Sequence, residues 1–162
     1  MMTFRPKAGF VFTHPAHFIA FGFGAGLARV APGTVGTLVA FPIWWLIGRA
    51  TPPLALLVIL AAMFVLGVWA CGITGRDLGI ADHGAMVWDE IVAFLLVLMI
   101  VPARPAWQAA AFVLFRGFDV VKPPPIRQLE RRMKGGFGVM FDDILAAGYT
   151  LLVLALARRL LF

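Results

Sequence analysis

Residues 115–148 read FRGFDVVKPPPIRQLERRMKGGFGVMFDDILAAG. Asp119, Asp142 and Asp143 stand there beside apolar runs, together with Arg116, Lys122, Arg127, Arg131, Arg132, Lys134 and the prolines Pro123, Pro124 and Pro125. An unpaired carboxylate next to lipid is costly, about 2.5–3.5 kcal/mol at a helix centre even on the mildest scale. Charges placed this way call for a cation. The chain of 162 residues fits one domain, and its 62% hydrophobic content and mean hydropathy of +0.94 lie well above those of a soluble domain. It reads as an integral membrane protein of all-α class, a polytopic helical bundle with four to five spans plus interfacial helices.

Working outward, the apolar runs are Leu38–Gly48, Leu54–Ala70, Ala85–Val101, Ala106–Phe115 and Ile144–Phe162. The last carries Arg158 and Arg159 near its end and either crosses as a fifth span or packs obliquely. Short proline turns, Arg49–Pro53 and Pro102–Pro105, join the second run to the first and the fourth to the third. Residues 1–12 lack the small-residue cleavage site of a secretory signal and are read as mature chain. His14–Val30 is interrupted by Gly22, Gly24 and Gly26, which favours an interfacial or re-entrant helix over a span. One membrane-embedded domain therefore covers 1–162, with an N-terminal interfacial or re-entrant segment 1–31 and a main bundle 32–162.

Alternating spans put three polar segments on one face of the membrane: the PGT stretch at Pro32–Thr34, residues 72–84, and the stretch from Arg116 onward. Most of the lysine and arginine lies there too, so the positive-inside rule makes that face cytoplasmic. The formal charge of +6 suits anionic headgroups or a phosphorylated lipid. Nucleic acid is excluded as a partner, since no basic surface interleaved with aromatics is present. Cys71, the single cysteine, permits no internal disulfide and reads as a packed small hydrophobe.

All eight acids fall between residues 77 and 143. Asp89 and Glu90 open the third run, Asp119 closes the fourth, and Asp142 and Asp143 precede the last. Three helix ends thus present carboxylates at similar depth on one face. Hard cations such as Mg²⁺ take oxygen ligands, often carboxylates together with substrate phosphate. The plain alternative is pairing of these acids with Arg116, Lys122 and Arg127.

Arg116, Asp119 and Lys122 recur every three residues, a spacing that lines them along one helix face. Arginine can grip two phosphate oxygens, lysine adds a point charge, and the carboxylate can hold a bridging metal. The three prolines should hold the chain extended. Ile126–Lys134 reads as an amphipathic interfacial helix, with Ile126, Leu129 and Met133 towards lipid. Gly135–Gly138 should be a flexible approach to Asp142.

Thr34 and Thr37 could donate to phosphate, with helix capping an equal reading for Thr34. His83, next to Asp82, could orient a ligand or move a proton. His14 and His17, with no acid nearby in sequence, do not suggest a metal site.

The segments PGTVGTL, DHGAMVWDE, FRGFDVVKPPPI and GGFGVMFDD followed by AAG, in that order and spacing, resemble the phosphatidylglycerophosphatase A family over roughly residues 30–150. The one visible departure is Lys122-Pro123-Pro124-Pro125-Ile126 where the family commonly has KPWPI. The resemblance implies a Mg²⁺-dependent phosphatase of the bacterial inner membrane that converts phosphatidylglycerophosphate to phosphatidylglycerol. Asp89, Glu90, Asp119, Asp142 and Asp143 would supply metal ligation and catalysis. Arg116, Lys122, Thr34 and His83 would bind substrate. The rival classes are a small transporter, which would place its acids near the bilayer midplane, and another enzyme of phospholipid metabolism. The DGxxAR, DxDxT and PSGH patterns of other lipid and phosphate enzymes are absent.

Overall fold

The computed structural model describes residues 6–161, and every regular element among them is helical. In chain order these are α1 (Ala8–Val11), α2 (Pro15–Ala20), a 3-10 segment (Gly22–Leu27), α3 (Pro32–Ile47), α4 (Pro53–Leu78), α5 (Trp88–Ile100), α6 (Pro105–Val121), α7 (Ile126–Arg132) and α8 (Gly135–Leu161). Arg5 and Phe162, which the sequence reading placed in the mature start and the last run, lie outside the described residues.

Proline starts α2, α3, α4 and α6 within their first two positions, where its missing N–H is no loss and its fixed φ suits the helix. α4 does not stop at Ala70. It runs on through Gly72, Thr74, Arg76 and Asp77 until Gly79 ends it in the left-handed conformation. Polar residues at the end of an apolar run do not break a helix, so the polar segment 72–84 is helical over its first half.

α5 organises the rest. It is apolar all round and nearly every residue of it is buried, which requires neighbours on every side. α3, α4, α6 and α8 supply them, and α4 also packs along α8. Phe94 meets Phe41 of α3 at a ring distance of 5.3 Å and Phe112 of α6 at 5.8 Å, both edge to face.

Among the described residues, two helices are long and apolar enough to cross a membrane, α4 and α8. Leu54, Leu57, Val58, Val65, Leu66 and Trp69 of α4 remain exposed, a contiguous apolar face of the kind that marks membrane contact. The other expected spans are shorter helices: α3 has 16 residues, α5 13 and α6 17. The segment 14–30 forms only a six-residue helix and a 3-10 stretch, too short to span.

Three local expectations change. The prolines form a turn rather than an extended strut, with a cis Pro124–Pro125 bond and the Tyr149 hydroxyl donating to Pro124 O at 2.8 Å. Ile126 faces inward and is buried in the core, because the turn brings α7 down onto α8. Arg127, Arg131, Arg132 and Lys134 stay exposed, as a headgroup-facing side requires. The Gly135–Gly138 run is the first turn of α8 and not a flexible approach.

Candidate active site

The carboxylates singled out in the sequence ride on three helices. Asp89 and Glu90 occupy the first turn of α5, Asp119 the last turn of α6, and Asp142 and Asp143 lie two turns into α8. Packing of α6 and α8 around α5 brings these turns together.

Asp89, Glu90 and Asp143 form the inner group. Each offers an oxygen within 4.8 Å of the other two, and all three side chains are buried. Asp119 is the adjoining carboxylate, interacting with both Asp143 and Glu90. Arg116 Nη1 donates to Asp119 Oδ2 and, at 3.3 Å, to Glu90 Oε1. The start of α3 closes the group from another side. A Cβ at Gly33 would overlap Glu90 Oε1 and come within 2.8 Å of Arg116 Nη2, so a larger residue there would push these two side-chain ends out of their present places.

Asp142 turns away from its neighbour. Successive helical residues point about 100° apart, and Asp142 accepts a hydrogen bond from Lys122 Nζ at 2.6 Å. The same ammonium donates to Glu130 at 2.9 Å and lies 3.9 Å from Asp82. Burial alone would lower the Lys122 pKa, but the hydrogen bonds to Asp142 and Glu130 outweigh it and hold the amine above its ordinary value. Asp82, Glu130 and Asp142 therefore form an outer group that already contains its cation. Asp142 Oδ1 also accepts from the Asp143 amide at 3.1 Å, which links the two groups.

The expected row Arg116, Asp119, Lys122 holds for its first two members only. Lys122 sits past the helix end in the left-handed conformation at φ 46°, which swings it from the α6 face towards α7 and α8. Pairing with bases accounts for Glu90, Asp119 and Asp142, whereas Arg127 donates to the Val121 carbonyl at 3.2 Å instead.

The inner group fits a divalent cation. Asp89 Oδ1, Glu90 Oε2, Asp143 Oδ2 and Arg116 Nε are buried with no hydrogen-bond partner. Buried polar atoms are nearly always satisfied, and buried charges are paired or ligate metal. Four carboxylates against the single guanidinium of Arg116 leave an excess of negative charge that a hard, oxygen-seeking cation would neutralise.

The remaining candidates lie further out. Thr34 follows Gly33 and is half-buried in the first turn of α3. It is not the cap, because Ala31 holds that position. Thr37 donates to the Gly33 carbonyl at 2.8 Å. His83 Nδ1 accepts from the Ala85 amide at 3.1 Å in the loop before α5, outside the inner group. His17, expected to have no acid nearby, is buried with Nε2 3.2 Å from Asp77 and Nδ1 3.0 Å from Thr74 Oγ1. Burial lowers its pKa against the pull of Asp77, and the contact ties α2 to α4. His14 Nδ1 accepts from the Ala16 amide and caps α2. Cys71 is buried, as a packing role requires.

Sequence reasoning missed Gly33, Glu130 and Asp82. Glu130 sat in a basic helix read as lipid-facing, and only the turn at Pro123–Pro125 aims it at Lys122. Replacing Lys122 with Met should destabilise the protein by about 1–3 kcal/mol, less than a fully buried pair because Asp82 and Glu130 are partly solvated. Thermal unfolding in detergent reads this, and adding Asp142→Asn should recover part of the loss.

Residues 18–158 match the family model described as Phosphatidylglycerophosphatase A. Phosphatidylglycerophosphatase A of Escherichia coli is 42% identical over 141 residues, covering 86% of this chain and 81% of the relative. The Haemophilus influenzae protein of the same name is 42% identical over 141 residues, covering 86% of each chain. A Bacteroides thetaiotaomicron protein provisionally named phosphatidylinositol-3-phosphatase is 42% identical over 147 residues, covering 86% of this chain and 91% of its own. No solved structure matches.

Proposed function

Because the chain belongs to the phosphatidylglycerophosphatase A family, we propose that it removes the terminal phosphate of phosphatidylglycerophosphate, giving phosphatidylglycerol and inorganic phosphate, with Mg²⁺ as cofactor. The observation that carries this reading is the buried set Asp89, Glu90 and Asp143 with three partnerless oxygens beside Arg116.

Asp89, Glu90 and Asp143 would hold the cation, with Asp119 as the adjoining ligand. Bound there, Mg²⁺ would supply charge neutralisation for the phosphoryl group and an activated water. Arg116 is held in place by Glu90 and Asp119, and its unpartnered Nε leaves a donor for a non-bridging oxygen. The first-turn amides of α3 beside Gly33 also favour an anion. Lys122 positions Asp142 and, through it, the Asp143 backbone. Thr34 and His83 would border the lipid headgroup.

In this reading α4 and α8, long and apolar enough to span, cross the membrane. α3 and α6 are roughly 24–26 Å long at 1.5 Å per residue, close to a hydrocarbon thickness of about 30 Å. α5 is shorter still, yet it is wrapped by protein and need not match the lipid. This amounts to four to five spans, with the site on the cytoplasmic face of the bacterial inner membrane and the basic side of α7 on anionic headgroups.

Phosphate release in mixed micelles tests substrate choice. Phosphatidylglycerophosphate should be turned over at least about tenfold faster, as kcat/KM, than phosphatidate, a phosphatidylinositol 3-phosphate or a soluble phosphoester. The Bacteroides relative favours a second reading, a lipid phosphatase acting on a phosphoinositide-type headgroup. A reversed order between the first and third substrates would establish it.

A further inference from the structure

The bundle end remote from Asp143 carries a second charged feature. A half-open cleft of about 270 Å³ is lined by Pro102, Arg104, Trp107 and Arg158. It lies between the turn joining α5 to α6 and the last turns of α8. Arg158 follows Asp143 by 15 positions on one helix, which separates the cleft from the inner carboxylates by roughly 22 Å at 1.5 Å per residue.

No acid lies in residues 91–118 or 144–162, so both chain segments that build the cleft lack acids altogether. Among the described residues, neither Arg104 nor Arg158 has an ion-pair partner. The α8 dipole explains Arg158, since a helix C-terminus attracts cations. It does not explain Arg104, which stands at the N-cap of α6, where the dipole repels a cation. Two guanidiniums lining one cleft, with no acidic side chain among the described residues to pair them, also repel each other. An anion bridging them would satisfy both, and guanidinium is matched in shape and weak hydration to phosphate oxygens. With α8 crossing, the cleft falls at the far membrane interface, where the Trp107 indole belongs.

We propose that this cleft binds the net anionic headgroup of a glycerophospholipid in the leaflet opposite the active site. The assignment rests on α8 as a span and is independent of the catalysed reaction.

Native mass spectrometry in neutral detergent tests it, with phosphatidylserine, phosphatidylcholine and inorganic phosphate as separate probes. The wild type should retain phosphatidylserine with an apparent Kd about tenfold lower than Arg104→Gln/Arg158→Gln does, and phosphatidylcholine should not discriminate between the two proteins. Arg158→Glu serves as a second variant, and an unchanged thermal unfolding temperature in detergent confirms that both variants are folded. Equal phosphatidylserine retention by wild type and variants overturns the proposal. Binding of inorganic phosphate without preference for the lipid overturns it as well. Absent phosphatase activity in the wild type would count against the catalytic reading alone.

Discussion

Asp143→Asn is expected to lower phosphate release by about 10²–10³-fold, the usual loss when a preorganised charge at a reacting phosphoryl group is removed. Asparagine keeps the size of the side chain and can still accept a hydrogen bond, so α8 should pack as before. It removes one negative charge from the Asp89, Glu90 and Asp143 set, where the Asp143 Oδ2 atom has no protein partner. A cation held there would be bound more weakly, so the variant should need more added Mg²⁺ for half-maximal rate. In the wild type, EDTA should stop turnover and Mg²⁺ should restore it. Activity that survives chelation would sink the metal from this scheme, and full turnover by the variant would take Asp143 out of the ligand set. Asp142→Asn is the internal control. Its carboxylate is engaged by Lys122, so its loss should act on stability more than on the metal requirement.

Gly136→Val is expected to cost about 3 kcal/mol or more, beyond the typical range for overpacking, because the obstruction is backbone and not a movable side chain. A Cβ at Gly136 would overlap the Val68 carbonyl oxygen and lie 2.7 Å from the Gly72 amide nitrogen. α4 and α8 would have to separate along the contact that seats Asp142 and Asp143. Small residues at helix crossings are what permit such close approach in membrane bundles. Thermal unfolding in detergent and phosphate release should therefore fall together. A variant as stable and as active as wild type would show that α4 and α8 do not meet as described. Gly117→Ala is the matched control, since a Cβ there meets nothing within 4 Å.

Much of the carboxylate grouping was legible because its chemistry is expensive. Carboxylates beside apolar runs are rare enough that Asp89, Glu90, Asp119, Asp142 and Asp143 could be picked out without coordinates, and Arg116 could be tied to Asp119 by spacing alone. Their division into two groups was not legible. It depends on the helical rotation between residues 142 and 143, and on Lys122 leaving the helix at the position where the three-residue spacing would continue.

The sequence by itself determined the helical class, the length and apolarity of the longest runs and the crowding of acids at one end, since hydropathy and charge are properties of the residues. Only the tertiary structure decided which carboxylates come together beside Arg116 and which surround Lys122, that α5 is the wrapped centre, and that Gly33 and Gly136 are points of contact. Those outcomes depend on distances of a few ångströms between helices far apart in the chain, and nothing local to any one helix encodes them.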